Sequence, residues 1–226
     1  KLQARRDALS TMASRLTYAS VLMAAINKKI IDAKILPAEI VRQLRMHNDS
    51  NINQQLDRLW GISRSSSKTK LDEIKKYKRI VGMRSNRPGN LSNGRALFNR
   101  VCASCHKLYG MGGDIGPDIT GSDRKNLHYI LSNIIDPNAE IPNDYRTSVI
   151  RMKDNRVMVG LIRSRELKTI TVVTPNEEIT LLRNDVAKID SQNFSIMPEG
   201  LIQVFSDQEL IDLISYLEGN EQVPLP

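Results

Sequence analysis

Two cysteines and a histidine form the most distinctive short motif in this chain of 226 residues. The segment Cys102-Ala-Ser-Cys105-His106 has the pattern C-x-x-C-H, which is the attachment signature of c-type haem. The two intervening residues let one turn of backbone hold both thiols at the macrocycle edge while the adjacent histidine reaches the iron. The motif predicts one covalently attached haem c, anchored by Cys102 and Cys105 and ligated through its iron by His106.

Three other interpretations of the motif remain open from the residues alone. A thioredoxin-like dithiol needs a strand before the motif and a helix beginning at it, whereas a helix-like segment, residues 92–101, precedes this one. A structural zinc site needs four ligands, yet the only other histidines are His47 and His128, and no further cysteine exists. A chance match is the third. We favour haem attachment.

Four segments around the motif carry a further signal. They are Gly94-Arg-Ala-Leu-Phe98, Gly116-Pro117-Asp118-Ile119-Thr120-Gly121, Met197-Pro198-Glu199-Gly200-Leu201 and the helix ending Leu213-Ile-Ser-Tyr216-Leu217. These segments closely resemble the planctomycete-type haem-binding domain, a relative of class I cytochromes c, and the resemblance spans about residues 90–218. It implies a cytochrome c-like fold in which a helix carrying Gly94 crosses the last helix of the chain, with the glycine allowing close approach.

The resemblance also implies a second iron ligand, Met197. Ser206 and Glu209 form a capping-box pattern that predicts a last helix beginning at Asp207. Met197 then lies on the loop entering that helix, from which cytochromes c supply a distal sulfur. Two other candidates for this ligand are weaker. Met111 follows His106 by only five residues, too few for the chain to pass round the haem edge to its opposite face. His128 lies in an amphipathic segment, where a histidine is more often a surface or packing residue.

Further haem contacts follow from the same resemblance. The carbonyl of Pro117 is expected to accept the Nδ1–H of His106 and so orient the ring. Tyr109 and Ile119 are expected to line the haem pocket together with Ile115 and Leu127, although ordinary core packing explains these four residues equally well.

The charge distribution predicts two domains. Residues 1–90 hold 19 basic against 7 acidic residues, whereas residues 91–226 hold 14 against 18. Pro88 and Gly89 lie at the change, as is typical of a linker. We therefore predict a helical domain with a basic linker helix over residues 1–88 and a haem-binding domain over residues 89–226.

Apolar residues at helical spacing in residues 4–60 predict four short amphipathic helices. Short links between them favour HEAT-like hairpins, although so few helices establish no repeat period. Residues 64–87 are strongly basic, but Leu71, Ile74, Tyr77 and Val81 keep an apolar stripe, so we interpret the charges as the solvated face of a helix. Nucleic-acid binding is disfavoured, and docking of an acidic partner is the alternative.

Between the motif and Met197 the chain is longer than a minimal cytochrome c requires. Alternating apolar residues over about residues 145–190 predict four or five short strands, forming an antiparallel β subdomain that shields the haem or docks a partner. The expected fold class is mainly α with a small β insertion: HEAT-like helical hairpins followed by a cytochrome c-like domain carrying this subdomain.

These features predict an electron carrier rather than an enzyme. The expected donor is a dehydrogenase-like domain or partner, and the expected acceptor is a downstream cytochrome or oxidase. A haem-based ligand sensor or peroxidase-like enzyme, and a binding module with structural haem, are the alternatives. No apolar run is long enough to span a membrane. Covalent haem implies a periplasmic or otherwise extracytoplasmic location, so we interpret the chain as part of a longer protein with its leader upstream of Lys1.

Overall fold

A computed structural model describes residues 2–226, with side chains from residue 4 onward. The chain divides into two compact units. One contains the residues up to Ser65 together with Ala139–Asn143, and the other contains Ser66–Asn138 and Asp144–Pro226. In the described residues, no helix is both long and apolar enough to cross a membrane.

The first unit contains the four helices that the apolar spacing predicts, so that prediction is confirmed. Trp60 closes its core, and the indole Nε1 donates a hydrogen bond of 2.9 Å to the Leu36 carbonyl. A three-residue strand follows the helices and pairs antiparallel with a second short strand. The elements are α1 (Leu2–Ala13), α2 (Leu16–Asn27), α3 (Ala38–Arg45), α4 (Ser50–Leu59), β1 (Gly61–Ser63) and β4 (Glu140–Pro142). Their assignment to a HEAT-like repeat stays a prediction.

The second unit contains four helices and the remaining strands. The helices are α5 (Lys68–Gly82), α6 (Leu91–Val101), α7 (Leu127–Ile135) and α8 (Asp207–Leu217). The strands are the hairpin β2 (Lys107–Leu108) and β3 (Met111–Gly112), and then β5 (Arg146–Met152), β6 (Val157–Arg165), β7 (Thr169–Val173), β8 (Glu178–Leu182) and β9 (Val186–Ser195).

Helix α5 is the basic segment, and its apolar stripe faces the core of this unit. Ile74, Tyr77 and Val81 are buried, whereas Leu71 is 43% exposed at the edge of the stripe. The Lys75 and Lys76 side chains are exposed on the other side of the helix. This arrangement is that of a solvated basic face. Because α5 packs within the second unit, the units divide at Ser65, ahead of the change in charge at residue 88.

Helices α6 and α8 cross at the contact that the resemblance implies. A Cβ atom on Gly94 would lie 2.7 Å from the Tyr216 Cβ and would overlap the Asp212 carbonyl oxygen. Beyond the crossing, the Phe98 and Tyr216 rings pack with centroids 5.7 Å apart. Only glycine permits this approach. The predicted crossing is confirmed.

The predicted fold class, mainly α with a small β insertion, is wrong. α and 3-10 helices make up 44% of the described residues and strands about a fifth, so the architecture is mixed α and β. Five strands form one antiparallel sheet in the order β8-β7-β6-β5-β9. The sheet has an apolar core of its own, around Ile150, Ile170 and Val172. The alternating apolar pattern of the sequence predicts individual strands. It does not predict the apolar core of the sheet, because that core forms only when the strands pair.

Candidate haem-binding site

The C-x-x-C-H motif forms one turn at the end of α6. Cys102 caps the helix, and its N–H donates to the Phe98 carbonyl at 2.8 Å. The Cys102 carbonyl then accepts hydrogen bonds from the N–H groups of Cys105, at 3.1 Å, and His106, at 2.9 Å. One tight turn therefore holds the two thiols and the imidazole next to each other.

The environment of the two cysteines argues against dithiol redox chemistry. Both side chains are half-buried. Burial raises the pKa of the Cys102 thiol to about 12, and the neighbouring Cys105 adds to the rise. A redox-active dithiol needs a thiol whose pKa is lowered, which a helix beginning at the motif helps to provide. Here a helix ends at the motif, so the environment is the reverse of the one that dithiol chemistry requires.

The His106 ring is held by the loop that follows the motif. Its Nδ1 lies 3.0 Å from the Pro117 carbonyl oxygen, the partner that the resemblance implies. Burial lowers the pKa of His106, and the Pro117 hydrogen bond opposes that shift only in part. The neutral ring, with its proton on Nδ1, has a lone pair on Nε2, which makes no hydrogen bond to any side or main chain that the structure describes. An imidazole in this state is suited to bind a metal through Nε2.

Gly116 lets this loop lie directly against the imidazole. A Cβ atom at this position would stand 2.6 Å from His106 Cε1 and 2.9 Å from Nδ1. The Gly116 N–H also donates to the Cys105 carbonyl at 2.8 Å, which ties the loop to the motif turn. Two thiols on one turn and an imidazole with a free Nε2 are the donor set that covalent haem requires, so these residues fit that group.

Tyr109 and Ile119 lie beside the motif and pack, half-buried, against the main core of the second unit. The Tyr109 ring meets Tyr216 edge-on with centroids 6.0 Å apart. The Ile119 N–H donates to the Lys107 carbonyl at 2.9 Å. Both positions suit the predicted pocket wall, and their contact with haem stays a prediction.

Arg124 is a central residue of this region that sequence reasoning missed. Its guanidinium donates to the Tyr109 hydroxyl and to the Gly219 carbonyl, each at 2.9 Å, and also to the Leu217 carbonyl. It therefore ties the loop after the motif to the end of α8. In the sequence it is one arginine in a polar stretch, Ser122-Asp-Arg-Lys125, and no local pattern distinguishes it.

The sheet also reaches the loop after the motif. Arg163 on β6 donates to the Asp114 carboxylate at 2.8 Å and to the Asp114 carbonyl at 3.0 Å. This hydrogen bond, with the positive charge of Arg163, lowers the pKa of Asp114. Asp114 precedes Gly116 by two residues, so the β subdomain is fastened to the segment that supports His106. The sequence analysis predicted the strands but not the contact between Arg163 and Asp114.

Met197 comes from a distant part of the chain, on the segment between β9 and α8. It is half-buried, and its N–H lies 3.1 Å from the Ser195 Oγ. Helix α8 begins at Asp207 with both hydrogen bonds of the capping box, so that part of the prediction is confirmed. Of the competitors, Met111 is 58% exposed on the short hairpin, and His128 is exposed on α7. The role of Met197 as an iron ligand stays a prediction.

The structure offers no ligand set for the zinc interpretation. Among residues with described side chains, no three His, Cys, Asp or Glu side chains cluster as a metal site would require. The haem interpretation needs no such cluster, because the thiols bond to the macrocycle and only one imidazole reaches the iron from this turn.

Comparison with known proteins gives one family match. Residues 89–154 match the family model for cytochrome c oxidase, cbb3-type, subunit III. No curated protein matches the chain. The matched segment contains the motif turn, Gly116 and Pro117, and it ends just after β5, before the rest of the sheet. This part of the chain is therefore similar to a cytochrome c-like haem-binding domain.

Proposed function

We propose that the second unit is an electron-transfer module of the cytochrome c type. The observation that carries this proposal is the turn after α6, which presents two thiols and an imidazole whose Nδ1 is already engaged by Pro117. The family match over residues 89–154 supports the same function. We further propose that this unit is an electron carrier and not itself an enzyme.

Each site residue has a definite task in this proposal. Cys102 and Cys105 form thioethers with one haem c, and His106 ligates its iron through Nε2. Pro117 fixes the ring by accepting the Nδ1–H, while burial keeps the imidazole neutral and its lone pair available. Met197 would supply the second ligand to the iron.

Haem held by these residues would supply a one-electron couple, and a thioether ligand together with the imidazole would raise its potential. Tyr109 and Ile119 would help to exclude water from it. Two protein ligands and a dry pocket would favour electron transfer over binding of a small molecule.

The proposed partners are a dehydrogenase-like donor and a downstream cytochrome or oxidase acceptor, in an extracytoplasmic compartment. The basic helix α5 does not point to nucleic acid, because its apolar stripe packs into the core and two of its lysines pair with acidic residues of the chain. Lys70 pairs with Glu199 at 2.6 Å, and Lys75 pairs with Asp72 at 3.1 Å. What remains is the solvated face of a helix.

The test is an absorption spectrum of protein matured with haem-attachment machinery. We expect covalent haem, a weak sulfur-to-iron charge-transfer band in the oxidised protein, and no shift when carbon monoxide is added to the reduced protein. A missing band with rapid carbon monoxide binding would favour a sensor or peroxidase-like enzyme. Absence of covalent haem would return the two cysteines to thiol chemistry and overturn the proposal.

Substitution of methionine distinguishes the proposed ligand from its competitor. Met197→Ala should leave the haem attached but abolish the charge-transfer band and allow carbon monoxide to bind. Met111→Ala is the matched control, since Met111 is exposed on the hairpin next to the motif, and it should leave both readouts unchanged. The reverse pattern would transfer the ligand assignment to Met111.

A further inference from the structure

One asparagine fastens the Met197 segment on both sides of the methionine. The Asn138 Oδ1 accepts a hydrogen bond from the Ser195 N–H at 2.8 Å. Its Nδ2 donates to the Glu199 Oε1, also at 2.8 Å. Ser195 precedes Met197 by two residues and Glu199 follows it by two. The amide orientation is fixed, because one partner is a donor and the other a carboxylate acceptor.

A lysine from α5 holds the other oxygen of the same carboxylate. The Lys70 Nζ lies 2.6 Å from Glu199 Oε2 and 2.9 Å from the carbonyl oxygen of Ile135, the last residue of α7. The Lys70 side chain is 21% exposed and the Glu199 side chain 42%, so water screens this pair in part. Both carboxylate oxygens of Glu199 thus have partners outside the Met197 segment.

The segment itself adds two local restraints on the methionine. The Met197 N–H lies 3.1 Å from the Ser195 Oγ, and Pro198 restricts the backbone of the residue before it. A methionine side chain has three rotatable bonds, so its sulfur is well placed only if its backbone is held. The chain supplies this hold through contacts that are far from Met197 in sequence.

We propose that Asn138 and Lys70 are positioning residues for Met197. Together with Glu199 they form the Met197 clamp, which holds the segment where the thioether reaches the iron. This inference rests on the proposed function, because it assigns Met197 as the axial ligand. The clamp predicts that ligation by Met197 depends on side chains that never touch the haem.

The first test is Asn138→Ala in the full chain with haem attached. Asn138→Ala removes two hydrogen bonds, and each bond of ordinary strength corresponds to about a fivefold change in an equilibrium constant. We therefore expect the fraction that binds carbon monoxide to rise by about 25-fold and the charge-transfer band to weaken. Hydrogen exchange of the Ser195 amide should also become faster. Asn133→Ala is the matched control, because the Asn133 Nδ2 donates only within α7, to the Tyr129 carbonyl at 2.7 Å.

The second test separates the two halves of the clamp. Glu199→Ala removes both contacts. Glu199→Gln keeps an acceptor for Asn138 but places an NH2 group where Lys70 needs an acceptor, so it loses the hydrogen bond and the charge that pair with Lys70. The reduction potential and the band should therefore fall more in Glu199→Ala than in Glu199→Gln, and Lys70→Ala should resemble Glu199→Gln. Lys75→Ala, which breaks the Lys75–Asp72 pair on the same helix, should change neither readout.

The outcomes distinguish failure of the clamp from failure of the proposed function. If the unmodified protein lacks the charge-transfer band, Met197 is not the ligand and the proposed axial pair fails together with the clamp. If the band is present and Met197→Ala abolishes it, but the clamp variants retain band, potential and Ser195 exchange, the clamp alone is overturned. A lower melting temperature with those readouts unchanged would also overturn it. Should Asn138→Ala not fold, Glu199→Gln decides the question.

Discussion

Among single residues, Gly116 controls the orientation of the proposed proximal histidine. In Gly116→Ala the new Cβ would stand 2.6 Å from the imidazole, and the loop would have to move away from the motif turn. The movement lengthens the hydrogen bond from His106 Nδ1 to Pro117, so the ring loses its fixed direction. We expect less correctly ligated protein, measured as a larger fraction of the covalent haem that binds carbon monoxide.

Gly82→Ala is the matched control for that substitution. No atom lies within 4 Å of a Cβ at Gly82, which is the last residue of α5. Alanine should therefore be tolerated and should raise the unfolding free energy by up to about 1 kcal/mol. If Gly116→Ala matched wild type in ligation, the loop would not be what orients His106.

The same residues show how much of the site local sequence can predict. The spacing of the motif placed both thiols and His106 on one turn, because hydrogen bonds within that turn determine its shape. The resemblance indicated Pro117, which is close in sequence. Arg124 and Asn138 were missed because their partners lie at the end of α8 and beside Met197, and only the fold brings these segments together.

Among the elements, α8 carries a capping box whose strength depends on pH. The Ser206 N–H and hydroxyl donate to Glu209, and these hydrogen bonds lower the pKa of that carboxyl. A lowered carboxyl pKa stabilises the fold at pH values above the unfolded value of 4.5, and this contribution disappears as the pH falls through the folded pKa. In Glu209→Gln, unfolding by denaturant should depend less on pH in that acidic range.

Ser206→Ala tests the same cap from the other side. It removes the oxygen that accepts the Glu209 N–H and should lower the unfolding free energy by about 1 kcal/mol at neutral pH. An unchanged denaturation midpoint would mean that tertiary packing of α8, and not its cap, determines where the helix begins.

Helices and strands differed in how far the sequence predicted them. The start of α8 follows from Ser206 and Glu209, since capping is local. The strands β5 to β9 were expected as a small antiparallel subdomain, but not with an apolar core of their own, because that core depends on strand pairing, which is not a local property. The pair β1 and β4 was missed altogether, since three residues are too few to show an alternating pattern.

For the whole molecule, the position of α5 determines where the domain boundary lies. Composition groups the basic helix with the first 88 residues, whereas the structure packs Ile74, Tyr77 and Val81 into the core of the second unit. The charge composition reflects the solvated face of α5, whereas burial reflects the opposite, apolar face. The two criteria therefore place the domain boundary at different residues. The domain boundary at residue 88 is thus a prediction that fragments can test.

We expect a fragment of residues 66–226 to be more stable than one of residues 89–226. Removal of α5 exposes the surface that its three buried side chains cover, at a cost on the order of 5 kcal/mol in unfolding free energy. It also removes Lys70 from the Met197 clamp. Both fragments lack β1, the partner of β4, so that loss cancels in the comparison. Denaturant unfolding of the two fragments gives the difference, and equal midpoints would instead make residue 88 the boundary of the folding unit.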